Sequence, residues 1–203
     1  MPTRWVIARH FFPVLEMLAE AGVEIDVASA VPHEHVFWED YVSGATGSDR
    51  APEHTFSVVL VYEEIAVSDY AAVLIPGGHS HHGIISDDLA RRILSEAAAQ
   101  GLVIGGVGQG VSVLLEFDLI AGHRATFGPG EEHDPMTPND QRIIEEAGGT
   151  FVWDCVVTSG EPGTGFILVT ARAQCVCSFT RAVLQAIESR LTEETASSAQ
   201  PTD

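Results

Sequence analysis

Ala71-Ala72-Val73-Leu74-Ile75-Pro76-Gly77-Gly78-His79 decides the fold, together with its counterpart some thirty residues on, Leu102-Val103-Ile104-Gly105-Gly106-Val107-Gly108-Gln109-Gly110. Each stretch is a short apolar run that ends in glycines, the mark of a buried strand followed by a sharp turn. The glycines let the backbone reverse and present N–H groups outward. The second stretch continues into the apolar run Val111 to Phe117. It therefore reads as a strand-to-helix turn flanked by glycines, the layout of a nucleophile elbow. Between the two, Asp87 to Gln100 puts Leu89, Ile93, Leu94 and Ala97 on one helical face. Strand, amphipathic helix, strand predicts two parallel neighbours with the helix packed on their face.

The same alternation extends outward. Arg4 to Ala8 reads as a buried strand, and Pro13 to Gly22 as a helix with Val14, Leu15, Leu18 and Ala21 inward. Gly22 closes that helix, and Val23 to Ser29 alternates as a strand does. Ala30 to Phe56 carries His33, His35 and His54 amid Gly-Ser-Asp punctuation and reads as a long surface excursion. Val58 to Tyr62, Thr150 to Val157 and Ile167 to Thr170 read as further strands; Asn139 to Ala147 and Ser178 to Leu191 read as helices. The pattern predicts an α/β chain with a mostly parallel sheet covered on both faces. In such sheets ligands sit beyond the carboxyl ends of the strands, so the loops after Ile75 and Gly106 are where a site is expected.

Composition narrows the partners. Ten Lys+Arg against 29 Asp+Glu give a net charge of −19. That field repels phosphate backbones and anionic membrane surfaces, so nucleic acid and membrane are poor partners. No apolar stretch reaches the roughly 20 residues of a membrane span. Cys155, Cys175 and Cys177 are odd in number and contain no CxxC pair, which favours a reduced, cytoplasmic setting.

Taken in order, these segments resemble the ThiJ/PfpI superfamily, within the class I glutamine amidotransferase-like fold. Asp69 to His79 is similar to its DYDAVVIPGGH signature, and Gln100 to Gly110 to its GKVVAAVCHG elbow. Leu119 to Thr126 is similar to LLAGRRVT, and Leu168 to Arg172 to the start of LITARGPGS. Glu131-Glu132 falls where one branch carries FTNAEE. The resemblance implies a flavodoxin-like, single-domain, doubly wound sheet over residues 1–191, with 192–203 as a polar, disordered tail. A homodimer is also implied.

The resemblance stops at the catalytic residues. The family's elbow cysteine falls on Gly108, followed by Gln109, and its glutamate, counted back from Gly22, falls on His10. Cysteine-dependent hydrolysis, deglycation or hemithioacetal chemistry at the elbow is therefore not expected. What the resemblance leaves is a pocket with backbone donors at Gly78 and Gln109, space above Gly108, and titratable neighbours. The expected function is a cofactor-independent, cysteine-independent enzyme of hydratase, lyase or isomerase type acting on a small carbonyl-containing metabolite. The alternative is a degenerate binding or chaperone-type protein. His10, His79 and Glu132 are the candidate catalytic residues; Gly78, Gly108, Gln109 and Cys175 are the candidate substrate contacts. No metal is expected, although His79, His81 and His82 share one loop. His10 is either a general base or a histidine packed on Phe11 and Phe12. Cys175 is either a relocated nucleophile or, with Cys177, a small buried hydrophobe.

Overall fold

Val103–Val107 and Ile167–Ala171 lie side by side at the centre because every residue in both runs is buried. Runs apolar on both faces are what a sheet covered on both sides demands. The computed structural model describes residues 6–31, 33–38, 54–58, 60–78, 81–128 and 138–198. In chain order these form β1 (Val6–Ile7), α1 (Ala8–Glu20), β2 (Ala28–Ser29), β3 (His33–Trp38), β4 (His54–Val58), β5 (Leu60–Val61) and β6 (Ala72–Ile75). There follow α2 (His81–Ile85), α3 (Asp88–Ala99), β7 (Val103–Val107), α4 (Gly110–Glu116), β8 (Arg124–Ala125) and α5 (Pro138–Glu146). The chain ends on β9 (Thr150–Phe151), β10 (Val156–Ser159), β11 (Ile167–Ala171) and α6 (Val176–Ser198).

The main sheet has the order β10-β11-β7-β6. β7 is parallel to both neighbours and β10 is antiparallel to β11. Alternation along the strands divides the core in two. Ile104 and Leu168 join Ile93, Leu94, Ala97, Val111 and Leu114 on the face covered by α3 and α4. Val103, Val107, Ile167, Val169 and Ala171 pack on the other face against Val14 and Leu18 of α1 and Val176, Phe179 and Val183 of α6. This is the α/β, doubly wound, flavodoxin-like arrangement expected.

α3 begins where the sequence says it should: the Asp87 carboxylate accepts the Leu89 and Ala90 N–H groups at 2.9 and 3.1 Å, satisfying two of the orphan donors of the first turn.

The N-terminal third differs from expectation. α1 starts at Ala8, five residues before the expected start at Pro13, and carries Pro13 inside it. Phe11 and Val14 are buried on consecutive turns, and that packing holds the earlier turn. β1 pairs in parallel with β3, not with the main sheet. The supposed surface excursion supplies β3 and β4, paired antiparallel from His33–Val58 to Phe37–His54. Val36, Phe37 and Trp38 are strong strand formers, and their partners lie too far along the chain for local periodicity to reveal them. Of Val23 to Ser29 only Ala28–Ser29 is a strand, paired with β5. α6 also continues past Leu191 to Ser198, with Arg190 paired to Glu194 at 2.7 Å and Thr192 Oγ1 donating to Glu188 O.

Candidate functional site

The loops after β6 and β7 meet at one edge of the sheet, as their sequences require. Ile75 is in register with Gly106, so both strands deliver their turns to the same place. Gly108 has φ of +55°, a left-handed conformation that a side chain adopts only at a cost. Its N–H donates to Ala171 O at 2.9 Å, and Gly108 O accepts the Val111 N–H at 3.1 Å, so the turn is tied to β11 on one side and α4 on the other. A Cβ placed on Gly108 would lie 3.2 Å from Ala173 Cβ. Ala173 therefore crowds the place a side chain at position 108 would take. Gln109 is half-buried, and its Oε1 accepts from Ser112 Oγ at 3.1 Å.

His10 is 3% exposed. Its ring lies flush against Gly77: a Cβ on Gly77 would overlap Nδ1, while Val107 O is 3.0 Å from the same point. A residue without a side chain is thus required where the histidine packs beneath the Pro-Gly-Gly loop. Gly78 O is held from the other side by His81, whose Nδ1 is 3.0 Å away, which makes Nδ1 the protonated, donating nitrogen.

His10 looks into a cavity of about 450 Å³ that follows β6, from Ala71 through Pro76. The walls are apolar, with Val14, Leu18, Ile25, Leu74, Ile93 and Phe179 among them. Among the described residues β6 is the last strand of the main sheet, so the cavity occupies the side where a further strand would lie. At the opposite end from His10 the lining includes Glu24, Asp26 and Asp69, all exposed. There Tyr70 Oη donates to Asp26 Oδ2 at 2.8 Å, and burial, that hydrogen bond and the neighbouring carboxylates push the phenol up to about 12. Tyr62, also in the lining, is pushed up to about 12 by burial and by Asp87.

Of the residues singled out from sequence, Gly78, Gly108 and Gln109 sit together at the loops, but none of them lines this cavity. His10 reaches the underside of the same loops and faces the cavity. His79 and Glu132 lie outside the described residues. Cys175 is bonded to Cys155, with Cα atoms 5.9 Å apart. This corrects the reading of Cys175 as a relocated nucleophile and of the cysteines as reduced; only Cys177 is unpaired, and it is exposed. The Arg172 N–H donates to Cys155 O at 3.1 Å, so the bond fastens the segment before β10 to the one carrying Ala173. Sequence reasoning missed Ala173 altogether, since nothing in its type marks it. Among the described residues no three His, Cys, Asp or Glu side chains gather as a metal ion requires. No helix among them is long and apolar enough to cross a membrane.

Residues 10–184 match the sequence pattern of the DJ-1/PfpI family. The chain belongs to the DJ-1/PfpI family. Over 93 residues it is 30% identical to DJ-1 protein homolog E of Arabidopsis thaliana, a match covering 46% of this chain and 23% of that protein. The chain thus spans about a quarter of the plant relative's length. Over 146 residues it is 26% identical to a Pyrococcus abyssi protein named a deglycase, covering 72% of this chain and 78% of that one. Among solved structures, a ThiJ/PfpI domain protein from Brachyspira murdochii aligns with a TM-score of 0.72 at 15% identity, over 92% of each chain. At that identity the likeness speaks for the DJ-1/PfpI fold alone.

Proposed function

We propose that this chain is a cysteine-independent member of the DJ-1/PfpI family that binds a small, mainly apolar molecule in the cavity beside β6. The resemblance puts the family's nucleophile at Gly108, where Ala173 lies within 3.2 Å of the position a Cβ would take. Two of the three cysteines are bonded to one another. Thiolate chemistry at the elbow therefore has no residue to carry it, and the deglycase name of the Pyrococcus abyssi relative does not transfer. One observation carries the binding reading: a cavity of about 450 Å³ with apolar walls and His10 at its inner end. Its size lies within the roughly 300–1,000 Å³ of small-molecule sites, which share this pattern of apolar lining with few polar groups.

Saturable binding of a neutral, polarity-sensitive dye such as Nile red is expected, one per chain. Ala72→Phe, which fills the cavity from β6, should abolish it while leaving the unfolding transition cooperative. An unsaturable response, or binding that survives Ala72→Phe in a folded variant, would sink the reading.

A second reading rests on His10 itself. An imidazole at the end of an apolar cavity is suited to act as a general base in proton transfer on a carbonyl compound, as a cofactor-independent hydratase, lyase or isomerase requires. If a small carbonyl compound is turned over, His10→Gln should slow it by roughly 10²–10⁴-fold. A His10→Gln protein with unchanged turnover would end the acid–base reading and leave the binding one.

A further inference from the structure

We infer that the ligand of this cavity is a rod-shaped amphiphile with a cationic head, a long-chain amine, whose head lies among Glu24, Asp26 and Asp69. This rests on the binding reading above and adds the ligand's chemical class and orientation. The first argument is shape. The cavity follows β6 from Ala71 to Pro76, and at about 3.3 Å per residue that is roughly 17 Å, long enough to take an extended ten-carbon chain with its head group. The second is the asymmetry of its ends. His10, 3% exposed, stands at the end beneath Gly77, whereas Glu24, Asp26 and Asp69 at the other end are exposed to solvent.

That open end is acidic. Val23, Ile25 and Val27 are half-buried and alternate with the exposed Glu24 and Asp26. This alternation turns the apolar side chains of the segment inward and its carboxylates to the rim. Asp69 joins them from the segment before β6, and Tyr70 Oη, donating to Asp26 Oδ2 at 2.8 Å, holds the two sides of the rim together. Among the described residues no lysine or arginine lines the cavity. The chain's net charge of −19 deepens the negative potential there, so a carboxylate or phosphate head is repelled and an ammonium head attracted.

Three probes of one length separate this inference from the reading it rests on: decylamine, decanol and decanoate, each titrated calorimetrically below its aggregation concentration. Decylamine should bind about two- to fivefold tighter than decanol, the usual scale for exposed charge pairs. Decanoate should bind at least as much weaker than decanol. The amine's advantage should shrink between about 0.01 M and 1 M salt, as the screening length falls from ~30 Å to ~3 Å. In the triple variant Glu24→Gln, Asp26→Asn, Asp69→Asn the amine should lose its preference over the alcohol. Equal binding of amine and alcohol to the unaltered protein would overturn the cationic class while sparing the cavity. A preference that persists in the triple variant would overturn the assignment of the rim. Failure of all three probes to bind would end both readings together.

Discussion

Reducing the bond between Cys155 and Cys175 should lower stability by an amount the structure lets one work out. The two cysteines are 20 residues apart in sequence. Closing a loop of that length removes about 11 cal/mol/K from the unfolded chain, or ~3 kcal/mol at 25 °C. An unfolding entropy near 2.1 cal/mol/K per residue over 203 residues makes that a fall of about 8 °C in Tm. Thermal unfolding followed by far-UV circular dichroism, with and without a phosphine reductant, reads the shift. Thiol counting under denaturing conditions supplies the control: one reactive thiol, Cys177, before reduction and all three after it. Cys155→Ser, at the exposed end of the bond, should reproduce the loss without reductant. Three reactive thiols in the untreated protein would refute the pairing. A count rising from one to three with no change in Tm would refute the loop-closure reasoning instead.

Gly77→Ala sets a Cβ against the His10 ring and the Val107 carbonyl and should cost about 1–3 kcal/mol in urea unfolding. His10→Ala should recover part of that loss, a coupling of about 1 kcal/mol in a double-mutant cycle; simple additivity would show that the two do not touch. His123, stacked on Phe166 at 4.5 Å, has its pKa lowered by burial, which outweighs the opposing hydrogen bond from Ser159. The folded protein therefore binds fewer protons there than the unfolded chain. The resulting stability is present above the unfolded value of ~6.5 and is lost as pH falls through it toward the folded pKa. Urea midpoints measured from about pH 8 down to pH 5 should fall less steeply in His123→Gln; identical slopes would remove His123 from the account.

The legible part of the fold was the part set by local chemistry. β6, β7 and β11 are runs apolar on both faces, and α3 announces itself through Asp87 and its inward leucines and alanines. What stayed hidden depends on distant partners. The strand character of His33–Trp38 is completed only by residues 54–58, with paired residues 17 to 25 positions apart. The start of α1 hinges on burial of Phe11 outweighing a proline. At the candidate site, the glycine turns and His10 could be found because glycine and histidine in those positions carry conformational or acid–base meaning. The Cys155–Cys175 bond could not: three cysteines admit three pairings, and only β10 and β11 running antiparallel bring these two together. Ala173 over Gly108 is contact without any chemical signature, and the cavity is a property of packing that no single residue encodes.

The position of β6 at the end of its sheet also bears on hydration. The Ala71 carbonyl accepts the Val103 N–H at 3.1 Å. In a parallel ladder alternate residues bond to the same neighbour, so Val73 and Ile75 turn toward β7 while Ala72 and Leu74 turn their N–H and C=O groups the other way, along the cavity. Among the described residues no strand pairs with that side. Backbone polar groups cost about 1–3 kcal/mol each when left without partners, so the N–H and C=O groups of Ala72 and Leu74 are where water entering this apolar space would bind. A hydrocarbon that enters displaces those waters without replacing their hydrogen bonds. Its binding should then show the negative heat-capacity change of apolar burial with little gain in enthalpy. Guests that carry an amide or hydroxyl at the right distance along the chain should bind with a more favourable enthalpy, by restoring to Ala72 and Leu74 what the water had given them.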